Sequence, residues 1–385
     1  MHKVVKAALA IGTSLGLVLG ISGCADKSNM IPPKDLVQFQ QTESMQYLWR
    51  QNIGNGVSDQ YLVLSPAISQ DILYTASVNG EVNAISANTG KRLWEVSVND
   101  SLSATPGVGE NAIYVGSIYG KLYALSKKDG QMLWKVNLPA SLYAQPQYAD
   151  GKIVLHLHNG EILALDAKNG KELWSHTATL PSIILTGNSA PLINNGTVYV
   201  GLDTGEIWAL NLDTGKRLWE RPIALPTGGS EVSRMIDIEG RPLINNGNLY
   251  AATFQGKVAA INLVNASLLW QKPVSTYNAM AIGDNMLLAS TYKDYLNAYN
   301  LNSGEVIWSQ KDLEGRQISA PVVIDDKWIL VSDFEGYVHL FDIKTGKYAA
   351  RLNLGGDGIR SQAVTLGNMV YLQTNDGYLY AVKVG

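Results

Sequence analysis

Residues 152–177 read KIVLHLHNGEILALDAKNGKELWSHT. Asn159-Gly160 and Asn169-Gly170 each separate short apolar runs, and Asn-Gly between such runs is a strong hairpin signal. KIVLHL, EILALDA and KELWSHT are of ordinary strand length. No stretch of ten residues here has a 3.6-residue period, which disfavours a helix or a βαβ crossover.

The unit repeats. TGKRLW ends at Trp94, DGQMLW at Trp134, NGKELW at Trp174, TGKRLW at Trp219 and SGEVIW at Trp308. A sixth copy, NASLLW, ends at Trp270 with Ala266 in the glycine position. Successive Trp spacings are 40, 40, 45, 51 and 38 residues. Pro66, Pro106, Pro146, Pro191 and Pro242 each precede their Trp by 28 residues, and Met280 holds that place before Trp308. A period near 40 with four short strands per unit is the signature of a propeller blade. Four residues after each central turn stands Ala84, Ala124, Ala164, Ala209, Ala260, Ala298 or Ala381; Leu340 alone departs. A small residue there predicts room for a large ring, and the repeated Trp side chains are expected to fill gaps between blades.

Units begin near 66, 106, 146, 191, 242, 280, 321 and 363. The seventh has Ala350 where Trp should stand, and the eighth ends after three strands at Gly385. YLWRQNI, carrying Trp49, is the candidate for the missing fourth strand. The expected fold is all-β: an eight-bladed propeller over residues 46–385, four antiparallel strands per blade, the last blade closed by the N-terminal strand. Closure removes the sheet edges that invite aggregation.

Ahead of the repeat, Lys3 and Lys6 precede the uncharged apolar stretch from Ala7 to Gly20, the composition of a secretory signal peptide. It ends in Ile21-Ser22-Gly23-Cys24, which resembles a lipoprotein cleavage box. Cys24 is the only cysteine in the chain and sits where acylation would consume it. The expected organisation is a signal peptide over 1–23, a lipid anchor and polar tether over 24–45, then the propeller. An acyl chain holds a protein on a membrane without a spanning segment. In lipoproteins an Asp after the Cys is associated with inner-membrane retention, so the resemblance implies an outer-membrane address where Ala25 stands. Formal charge is −3 for the full chain and −5 once Lys3 and Lys6 are removed. Nothing in that balance suggests a nucleic-acid partner, which asks for a basic face.

Most connections between units are short, but 17 residues separate Trp174 from Pro191 and 23 separate Trp219 from Pro242. Length beyond what a blade needs is where repeat proteins place binding surface. Ile183, Ile184 and Leu185 lie in the first loop; Arg234, Asp237 and Glu239 lie in the second, beside Met235 and Ile236. An apolar centre with a charged rim is how protein interfaces are built. Catalytic signals are missing: no P-loop, G-x-S-x-G or H-E-x-x-H motif occurs. His156 and His158 alternate on one strand without a third ligand nearby, so no metal, cofactor or catalytic residue is assigned.

LPSIILTGNSAP (180–191), PTGGSEVSRMIDIEGRP (226–242) and LVSDFEGYVHLFDIKTG (330–346), with the repeat and the cleavage box, resemble the BamB family. These are lipoprotein subunits of the bacterial outer-membrane β-barrel assembly machinery. The resemblance spans essentially the whole chain. It implies a non-catalytic scaffold on the periplasmic face of the outer membrane, anchored through Cys24. It implies docking to the POTRA domains of the BamA barrel within a multi-subunit complex, with unfolded outer-membrane protein clients a second candidate partner. Its contact residues map onto Ile183, Ile184, Leu185 and Thr186 in the first loop, and onto Arg234, Asp237 and Glu239 in the second. The family carries Arg where Thr186 stands, so that charge is absent or is supplied by Arg234. The Trp repeat also resembles that of pyrroloquinoline quinone dehydrogenases. Those enzymes have a catalytic Asp, bound calcium and often adjacent cysteines, and this chain has no cysteine pair. A quinone-dependent periplasmic oxidoreductase, or another ligand-binding propeller, is therefore the alternative reading.

Overall fold

Each repeat folds as a four-stranded antiparallel sheet, and there are eight such sheets. In the third, Gln147–Ala149, Lys152–His156, Glu161–Asp166 and Glu172–Thr177 pair in sequence order. The computed structural model describes residues 31–57, 61–187 and 189–385. The signal peptide, Cys24 and the start of the tether lie outside those residues. No helix among the described residues is long and apolar enough to cross a membrane.

The Ala–Trp regularity is a cross-strand pair within a blade. Ala84 faces Trp94, Ala124 faces Trp134, and so on through Ala298 and Trp308, with a register shift immediately after each Ala. The alanine makes room for the indole of its own blade, and the indole then reaches the next blade. Trp94 Nε1 donates to the Lys127 carbonyl at 3.0 Å and Trp174 Nε1 to Leu212 at 2.9 Å. The glycine of the next blade's turn lies under the ring: a Cβ on Gly130 would stand 2.7 Å from Trp94, and one on Gly215 2.7 Å from Trp174. Where Ala266 replaces that glycine, Arg221 Nε takes its carbonyl at 2.8 Å. The two exceptions in the sequence are partners, because Leu340 faces Ala350. Blade seven has reversed the large and small members of the pair.

The first strands of consecutive blades adjoin one another, so they line the axis. The fourth strands lie outermost, with Leu93, Leu133, Leu218 and Ile307 exposed. The eighth blade is completed by Met45–Asn52, which pairs antiparallel with Tyr378–Val384. Trp49 faces Ala381 and covers Gly90 of blade one. The N-terminal strand thus supplies the Trp that the C-terminal repeat lacks. Tyr371 Oη donates to the Ala87 carbonyl at 3.1 Å, and Ile53, Leu73 and Tyr371 are fully buried together where the ring closes.

The distal part of the expected tether is docked. From Lys34 to Glu43 the chain runs along blade seven. Lys34 N donates to the Glu314 carbonyl and Thr42 N to that of Ala349, both at 2.9 Å. Phe39 stacks on Tyr348 with centroids 4.7 Å apart. Two arginines hold the strap by its carbonyls: Arg316 Nη1 to Lys34 at 3.1 Å and Arg351 Nη1 to Val37 at 2.9 Å. Behind them Asp333 accepts from Arg316 Nε at 2.8 Å and from His339 Nε2 at 2.9 Å. His339 Nδ1 accepts from Arg351 Nε at 3.1 Å. That pattern requires the neutral imidazole, and burial, the largest influence, holds the ring's pKa below its ordinary value.

Candidate partner-docking face

The two long loops fold onto blade four and onto each other. In the second loop Met235, Ile236 and Ile238 are buried. Ile238 packs where a Cβ on Gly201 would stand, and Ile236 where one on Gly205 would stand. Ile223 N donates to the Gly205 carbonyl at 2.8 Å, and Ile238 N to that of Leu202 at 3.2 Å. The loop is therefore pinned at both ends to the turn between Thr197–Gly201 and Glu206–Asn211. Its middle, with a short 3-10 turn at Val232–Arg234, projects outward and exposes Leu225, Val232 and Arg234.

The first loop lies over the second. Leu185 N donates to Asp237 Oδ1 at 3.0 Å, and Ser189 Oγ to the Gly240 carbonyl at 3.1 Å. Glu239 approaches Gly187 so closely that a Cβ there would collide with its carboxylate. His156 Nδ1 binds the Ser189 carbonyl at 3.0 Å from below. Burial pushes His156 down to about 4, so it is a neutral core residue that fixes the loop's exit.

All seven sequence-selected residues thus sit in one stitched pair of loops, but Asp237 and Glu239 are not at the rim expected of them. Ile183 is 41% exposed, and Thr186 and Arg234 are exposed, so these form the outer surface. Ile184 and Leu185 are half-buried. The acidic pair is no rim: Asp237 is fully buried and Glu239 turns inward. The cause is the overlying first loop. The strand-like alternation of Ile236, Asp237 and Ile238 would give Asp237 to solvent, but Leu185 covers it.

Beneath the loops Asp203 joins Asp237 and Glu239, with one carboxylate oxygen from each within 4.8 Å of the others. Both oxygens of Asp203, Asp237 Oδ2 and Glu239 Oε1 are buried without a hydrogen-bond partner among the described residues. Burial first, and the neighbouring carboxylates second, push Asp203 up to about 7 and Glu239 up to about 8. Burial also raises Asp237, against the opposing pull of the Leu185 N–H. Asp203 escaped the sequence reading, although a signal exists. Its position in the other blades' turns is held by Val78, Ile118, His158, Phe254, Tyr292, Phe334 and Asn375, so an acid there is unique among the eight. Glu239 and Leu185 also line a cavity of about 930 Å³, walled by Tyr61, Tyr143, Tyr277 and Arg360.

A family model described as outer membrane protein assembly factor BamB matches residues 78–310 and 292–384. The chain belongs to the BamB family. It is 39% identical to the outer membrane protein assembly factor BamB of Pseudomonas aeruginosa, over 96% of this chain and 97% of that one. It is 26% identical to the Escherichia coli BamB, over 94% and 95%. The crystal structure of BamB from Moraxella catarrhalis superposes with a TM-score of 0.82 at 25% identity, over 88% of this chain and all of that one. A quinohemoprotein alcohol dehydrogenase from Comamonas testosteroni matches at TM-score 0.70 and 13% identity, over 88% and 76%, a likeness of fold alone. This sequence has a single cysteine, so it lacks the adjacent pair found in many of those quinone enzymes.

Proposed function

We propose that this chain is a non-catalytic scaffold of outer-membrane protein assembly that docks the POTRA domains of BamA through the 183–187 and 225–234 surface. The observation that carries the reading is the stitched loop pair. Two connections longer than a blade requires are held rigid by buried isoleucines and by the Leu185–Asp237 bond, and present Ile183, Leu225 and Val232 beside Arg234. Rigid apolar anchors beside a cationic edge lose little conformational freedom on binding. Membership in the BamB family supports the same assignment.

In this reading Cys24 carries the lipid and keeps the propeller on the periplasmic face of the outer membrane. Mass spectrometry of the membrane-extracted N-terminus tests the anchor, and an unmodified Cys24 refutes it. Calorimetry against the POTRA domains tests the surface. Ile183→Ala and Leu185→Ala should each weaken binding by about 1–3 kcal/mol, roughly 5- to 150-fold. Folded variants that bind like the unaltered protein would remove this face from the account.

A further inference from the structure

Asp203, Asp237 and Glu239 come from two separate segments, a blade-four turn and the following loop, and converge beneath the first long loop. Asp203 is 2% exposed, and neither of its oxygens has a partner among the described residues. Asp237 is 0% exposed and spends only Oδ1, on the Leu185 N–H. Among the described residues, no Lys, Arg or His forms an ion pair with any of the three. Buried carboxylates are ordinarily paired, protonated or bound to a metal. An acid also stands at a turn position where no other blade has one, so blade packing does not explain its presence.

We infer that these three carboxylates form a binding site for a hard divalent cation, calcium in particular, that ties the two docking loops to blade four. Three carboxylates and no nitrogen or sulfur donor is a hard, all-oxygen set, which suits calcium or magnesium and not zinc or copper. No two of the three oxygens lie farther apart than 4.8 Å, the span between oxygens on opposite sides of one calcium ion at roughly 2.4 Å. Magnesium demands near-ideal octahedral geometry at roughly 2.1 Å and gives up its waters reluctantly, whereas calcium accepts irregular carboxylate sets. Glu239 opens onto the cavity, which gives water and the ion a way in. Bound there, the cation neutralises the site and fixes Asp237, hence the Leu185 backbone that Asp237 holds.

The test uses the full-length protein, stripped with chelator and titrated with calcium chloride by calorimetry, with melting temperature followed in parallel. One calcium per chain is expected, with Kd of roughly 10⁻⁴–10⁻³ M as in other extracellular sites, and magnesium weaker. Asp203→Asn and Glu239→Gln should each weaken calcium at least about tenfold. Both variants should melt no lower than the unaltered protein in chelator, because each removes a buried carboxyl group without a partner among the described residues. No calcium-dependent heat or melting shift at about 10 mM, or equal calcium binding by both variants, overturns the site. This measurement contains no partner, so its failure is separate from failure of the docking surface.

Discussion

Replacing Arg316 by Ala probes the strap and the buried charge network together. The Arg316 side chain is 4% exposed, and that of Asp333 is 0%. Arg316 Nε pairs with Asp333 at 2.8 Å, Nη2 pairs with Glu335, and Nη1 holds the Lys34 carbonyl at 3.1 Å. Removal leaves Asp333 buried with His339 and two backbone N–H groups, those of Glu335 and Tyr337, but no cation. Breaking one side of a buried pair costs about 3–5 kcal/mol. Unfolding entropy near 2.1 cal/mol/K per residue gives about 0.7 kcal/mol/K for the propeller over 46–385, so melting should fall by about 4–7 °C. Locally, losing a charged hydrogen bond of about 1.5–3 kcal/mol should speed tryptic cleavage after Lys34 about ten- to hundredfold. Thermal melts by circular dichroism and timed proteolysis read the two effects separately. Because most of the cost is a stranded carboxylate, Arg316→Ala with Asp333→Asn should recover part of the melting temperature but none of the protection at Lys34. An unchanged melt and unchanged cleavage in Arg316→Ala would refute both the network and the docked strap.

Deleting residues 46–53 should abolish cooperative melting or lower it far more than deleting 33–43, since only the first opens the ring; equal melts would refute the closing role of Trp49. In chelator, stability should fall as pH rises. Asp203 and Glu239 hold protons more tightly folded than unfolded, so their contribution is full below about pH 4 and lost as pH passes about 7 to 8. Urea titrations at pH 5 and pH 8 check this, and calcium should reverse the loss at pH 8. Gly187→Val should displace Glu239 and weaken POTRA binding while the blades stay intact, read by calorimetry and circular dichroism; undiminished binding would place the docking surface elsewhere.

The blade count and the ring closure were legible because they rest on local chemistry repeated at fixed spacing. Asn-Gly and Asp-Gly turns set the hairpins, Trp and Ala recur in phase, and a repeat lacking its fourth strand needs one from the other end. The stitched loop pair was half legible. Loop length located it and picked out Ile183 and Arg234, which do reach the surface. The inward turn of Asp237 and Glu239 was not legible, because it depends on one loop lying over another, a contact 52 residues apart at Leu185 and Asp237. The strap escaped for the same reason, since Lys34 and Val37 meet Arg316 and Arg351 some three hundred residues away. Periodicity reports which face of a strand a residue occupies. Whether that face meets water is decided by whatever segment folds back across it, and only the tertiary structure contains that segment's position.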